Sequence, residues 1–119
     1  MTTHAKPESL LPLTAVAFEI LLTLADGDTH GYHIMQEVER RTEGAIVLHP
    51  GTLYRALARL LDSRVIEELD SPRGPNDDER RRYYALTKFG REVLTAEASR
   101  LERQVREARA RRLLRKQER

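Results

Sequence analysis

The stretch "HPGTLYRALARLL", His49 to Leu61, decides how this chain is read. Pro50 suits a first helical position, where a missing N–H costs nothing. Leu53, Leu57, Leu60 and Leu61 then fall on one helical face. Thr52, Arg55 and Arg59 fall on the other, with Tyr54 at the boundary. One face is therefore a core face. The other presents a hydroxyl, a phenol and two guanidiniums, none of which hydrolyses anything unaided. They are groups that reach phosphate oxygens and base edges.

Upstream, Val16, Ala17, Ile20, Leu21 and Leu24 follow a helical period from about Thr14, and Gly27 is a C-cap signal. So apolar a run predicts a helix buried on more than one side. Thr29 suits the cap of a second helix ending near Thr42, with Tyr32, Ile34, Met35 and Val38 as its apolar stripe and Gly44 as its stop. "AIVL" (45–48) is too short and too β-branched for a helix and predicts a brief strand. Residues 1–9 are polar, contain Pro7 and read as a flexible terminus.

Downstream, "VIEELD" (65–70) and "RRYYAL" (81–86) predict two short strands joined through the loop "SPRGPNDDER" (71–80). Thr87 can cap a last helix running toward the C-terminus, roughly 50 Å long at about 1.5 Å per residue. Leu94, Ala98, Leu101, Val105 and Ala108 are spaced along it as an a/d seam flanked by Glu and Arg. So long a stripe on so small a domain calls for a second copy of the chain, with Val16 and Ile20 of the first helix joining the interface. The final residues, "RARRLLRKQER" (109–119), make a basic tail.

The order is helix, helix, short strand, helix, two-stranded wing, long helix. That predicts a mainly α protein with a small β-hairpin: a winged helix-turn-helix with a long C-terminal helix, as a homodimer. Residues 10–86 would form the DNA-binding domain and 87–119 the dimerisation helix.

Composition narrows the alternatives. The 119 residues suit one domain, and the absence of cysteine excludes disulfides and thiolate metal sites and fits the cytoplasm. No run of about 18 apolar residues is available for a membrane span. Charged residues make up 34%, yet the net charge is only +2. Of 21 basic residues only 3 are lysine, which suits phosphate and guanine recognition but also follows from GC-rich coding. His30 and His33 are three apart, without a cysteine or a well-spaced carboxylate to complete a metal site. No cofactor motif and no nucleophile–base set stands out, so an enzyme is not expected.

Three stretches resemble the PadR family of bacterial transcriptional regulators: "HGYHIMQEVERRTEG" (30–44), "HPGTLYRALARLLDSRVIEE" (49–68) and "RRRYYALTKFGREVL" (80–94). The resemblance spans about residues 12 to 110. It implies a winged-helix dimer that binds an inverted repeat, usually as a repressor, here in a compact form ending with one long helix. His49 stands where the family commonly has serine, so the usual hydroxyl cap is missing. The tryptophan that multidrug-sensing members stack on ligands is missing too.

With that fold, Tyr32, Thr52, Tyr54, Arg55, Arg59, Arg73, Arg80 and Arg81 are the expected contacts to double-stranded DNA. Core packing for Tyr54 and local capping for Thr52 are the competing readings. Asp77, Asp78 and Glu79 at the wing tip would repel DNA, which leaves a protein-binding winged helix as the rival class. An apolar cleft between the first and last helices of a dimer would suit a small effector that the sequence does not name.

Overall fold

In the computed structural model, which describes residues 6–70 and 82–115, each α-helix begins on a side-chain cap or a proline in its first turn. A 3-10 turn (Pro7–Leu10) precedes α1 (Ala15–Asp26). The Thr14 hydroxyl caps α1 by accepting from the Ala17 N–H at 3.0 Å. A two-residue strand, β1 (Thr29–His30), runs directly into α2 (Gly31–Arg41). Then come α3 (Pro50–Asp62), β2 (Ile66–Leu69), β3 (Tyr83–Leu86) and α4 (Lys88–Ala110). The three strands form one antiparallel sheet in the order β1-β3-β2. Ile20, Leu21, Ile34, Val38, Leu53 and Leu57 bring α1, α2 and α3 together in the core, and Tyr84 and Val93 seal it from the wing and α4.

Three expectations are corrected. Residues 45–48 form no strand. The Ile46 N–H goes to Thr42 Oγ1 at 3.1 Å, Leu48 enters the core, and the segment serves as a spacer between α2 and α3. The cap of α2 is His30, not Thr29. Thr29 pairs with Tyr84 in the sheet, and His30 Nδ1 accepts from the His33 N–H at 3.3 Å. Finally, α4 stops at Ala110. Its 23 residues span about 35 Å at ~1.5 Å per residue, short of the expected rod.

The stop signals explain these boundaries. The second residue past the end of α2, α3 and α4 lies at positive φ: Glu43 (52°), Arg64 (63°) and Arg112 (60°), and at α2 Gly44 (81°) follows it there. In each case the next N–H returns to the carbonyl three residues inside the helix end: Gly44 to Glu39, Val65 to Leu60, and Leu113 to Ala108. This is the Schellman closure, with a charged residue where glycine is commonest.

The start of α4 is fixed to the end of α3. The Thr87 N–H donates to the Val65 carbonyl at 3.1 Å, and the Thr87 hydroxyl donates to the Arg64 carbonyl at 2.7 Å. The same hydroxyl accepts from the Gly90 N–H at 2.9 Å. Gly90 is required by this approach, because a methyl group there would overlap the Val65 carbonyl. Helix propensity alone favours alanine over glycine by about 1 kcal/mol. Overlap with fixed backbone costs more, so Gly90→Ala is expected to destabilise the fold by roughly 3 kcal/mol. Thermal melting should show a midpoint lowered by about 10 °C; an unchanged midpoint would refute the contact.

Candidate nucleic-acid interface

Leu53, Leu57 and Leu60 anchor the inner face of α3, and this forces Thr52, Tyr54, Arg55 and Arg59 outward. All four are exposed. Among the described residues no carboxylate pairs with Arg55 or Arg59. His49 makes no side-chain capping bond, and among the described residues no side chain occupies the N–H groups of the first turn. Such an end favours an anion.

The start of α2 lies beside the start of α3. A methyl group at Gly31 would stand 2.8 Å from the Tyr54 hydroxyl and 3.1 Å from Leu53 Cδ2. Gly31 therefore lets the two helix starts close up, and neither Tyr54, 47% exposed, nor Tyr32, 56% exposed, is a core residue. Thr52 makes no capping bond either. His30 sets its ring edge-on to Tyr83, with centroids 5.4 Å apart, so its ring serves the cap and the wing.

On the wing, Tyr84 is buried and Tyr83 half-buried, as strand alternation requires. Burial pushes the Tyr84 phenol above its ordinary pKa. Arg82 Nε lies 4.0 Å from a Glu68 carboxylate oxygen on the neighbouring strand. Arg73, Arg80 and Arg81 lie outside the described residues.

The predicted dimer residues divide into two groups. Ile20 (0% exposed) and Leu94 (7%) are consumed by the chain's own core and have no surface left for a partner. Val16, Leu101 and Ala108 are half-buried, while Ala98 and Val105 are exposed. Beside this stripe lies a group that the sequence reading missed. The buried Glu97 carboxylate accepts from the Leu13 N–H at 2.9 Å and from Arg100 Nη2 at 3.0 Å. The i,i+3 spacing of Glu97 and Arg100 was visible in the sequence. The reach to Leu13 was not.

Helices packed on an antiparallel sheet, with a third helix projecting a polar face and a fourth running on past the domain, define the winged helix-turn-helix class of DNA-binding proteins. The model of the family described as "Transcriptional regulator PadR-like family" matches residues 20–96. The chain belongs to that family, whose members are transcriptional regulators and not enzymes.

A transcriptional regulator from Clostridium thermocellum has a similar structure (TM-score 0.67, 28% identity), covering 80% of this chain and 87% of that one. Bacillus subtilis PadR, solved in complex with operator DNA, shares the fold (TM-score 0.60, 22% identity), covering 71% of this chain and 47% of that one. An uncharacterized 37.1 kDa protein in transposon TN4556 of Streptomyces fradiae is 39% identical over 79 residues, which is 66% of this chain and 21% of that protein. The present chain thus matches about a fifth of that relative's length. Among the described residues no helix is long and apolar enough to cross a membrane.

The Arg100 guanidinium holds the Glu97 carboxyl below its ordinary pKa of 4.5; burial opposes this, and the Leu13 amide reinforces it. A lowered folded-state pKa gives stability that is complete above the unfolded value and is lost as pH falls through the folded one. Urea midpoints are therefore expected to fall as pH drops below 4.5. Glu97→Gln should cost about 2 kcal/mol at pH 7, the scale of hydrogen bonds to a charged group, and should flatten part of the acid-dependent loss. A variant with an unaltered acid profile would show that the carboxylate is not held as described.

Proposed function

We propose that this chain is a homodimeric transcriptional repressor that binds an inverted-repeat operator. Each protomer lays α3 in a major groove, with Arg55 and Arg59 toward base edges and Thr52, Tyr54 and Tyr32 toward phosphates. The wing, with Arg73, Arg80 and Arg81, flanks the groove. Two half-sites about one helical turn apart suit a twofold pair of such domains. Repression follows from occupying a promoter in the cytoplasm.

The observation that carries this reading is the pair of exposed guanidiniums on a helix whose opposite face buries Leu53, Leu57 and Leu60 in the core. An arginine so placed has no described partner within the chain. It has the geometry to take guanine O6 and N7 together. The DNA-bound Bacillus subtilis relative lends this reading its second support.

For the dimer, the support is the stripe Ala98, Leu101, Val105 and Ala108 on α4. It follows the last core residues of α4, and no other part of the described chain fully covers it. An effector is not needed for this reading.

Two variants test it. Arg55→Ala should weaken binding to a duplex selected by the wild-type protein by about 5- to 150-fold, the worth of one bidentate base contact, and should hardly change binding to random duplex. Equal losses on both, measured by fluorescence anisotropy at one salt concentration, would reduce Arg55 to a phosphate contact. Leu101→Glu places a charge in the stripe and should raise the dimer dissociation constant by roughly 100-fold or more. Sedimentation equilibrium reports it; an unchanged dimer mass would remove this interface.

A further inference from the structure

One buried carboxylate ties the N-terminal strap, residues 7–13, to α4. Glu97 is 1% exposed and is the last buried residue along α4. Its oxygens accept from the Leu13 N–H, 84 positions away in sequence, and doubly from Arg100. The strap is itself ordered. The Ser9 and Leu11 N–H groups close onto the Lys6 and Glu8 carbonyls, and Leu10, Leu11 and Leu13 pack half-buried against the core. A lone carboxylate at that depth would be strongly disfavoured, and here its charge is matched by one guanidinium and one amide. Beyond Glu97 comes Ala98, where α4 leaves the domain and its exposed stripe begins.

We propose that Glu97 is a positioning residue for operator recognition. By clamping the strap to α4 where the helix departs, it fixes the direction of α4 relative to α3. The inference rests on the dimer reading above. In a dimer joined through α4, that direction sets the distance between the two recognition helices. A few degrees at the clamp become ångströms at the DNA. Binding to random duplex, which depends on phosphate neutralisation, tolerates such an error. Binding to two half-sites of fixed spacing does not. Loosening the clamp therefore removes selectivity and spares general affinity.

The test uses the full chain, a duplex that the wild-type protein selects from a random pool, and a scrambled duplex of equal length. Glu97→Ala should lower affinity for the selected duplex about tenfold or more, leave the scrambled one within about twofold, and speed amide exchange at Leu11 and Leu13. Glu97→Gln combined with Arg100→Gln keeps an amide oxygen for the Leu13 N–H and removes both charges together. It should restore the slow exchange and the selectivity. Leu10→Ser with Leu11→Ser loosens the strap while Glu97 and Arg100 stay paired. It should reproduce the loss even if Glu97→Ala fails to fold. Equal losses on both duplexes, or full selectivity with a freely exchanging strap, overturn the inference alone. A dimeric wild-type protein that selects no duplex overturns the operator reading beneath it as well.

Discussion

The carbonyl of Val65 is the point on which this architecture turns. It accepts the Thr87 N–H, and it is approached so closely by α4 that only glycine fits at position 90. The Val65 N–H meanwhile returns to Leu60 and closes α3. The end of α3, the start of the wing and the start of α4 thus share a few hydrogen bonds. None can move without the others. Under the proposed function, in which copies join through α4 and read with α3, this junction converts the geometry of the dimer into the geometry of the readers.

The reading surface depends on the same economy of contacts. α3 spends its leucines on the core, which leaves its arginines facing outward by necessity. Gly31 lets the start of α2 approach Tyr54, and β1 joins that start to the wing through Thr29 and Tyr84. Tyr32, Tyr54 and the wing are therefore held by one small sheet and one glycine contact. For the proposed DNA contact, a surface built this way needs little reorganisation, which limits the entropy lost on binding.

Much of this was legible in the residues. The helical period of α1, α2 and α3, the Thr87 cap and the alternation of Tyr83 and Tyr84 are local signals, and each appears where the pattern put it. Three kinds of feature escaped. A two-residue strand has no pattern to read, so β1 was invisible and Thr29 looked like a cap. Residues 45–48 carry strand-like side chains, but Leu48 is drawn into the core and Thr42 takes the Ile46 amide, so chain geometry overrode propensity. The helix stops at Arg64 and Arg112 use charged residues at positive φ, where the glycine signal is silent, and at α2 Glu43 takes that position one residue before the Gly44 that the pattern marks as the stop. At the candidate site, exposure of the α3 residues followed from period alone. The division of the α4 stripe did not, because which of Leu94 and Leu101 the domain consumes depends on where α1 lies.

Under the proposed function, two copies present their α3 helices to one duplex at a fixed separation. Hydroxyl-radical and methylation footprinting of the full chain on a duplex it selects measures this directly. Two major-groove patches of guanine protection, related by twofold symmetry and centred about one helical turn apart, are expected. A single patch, or even protection without a preferred position, would contradict it.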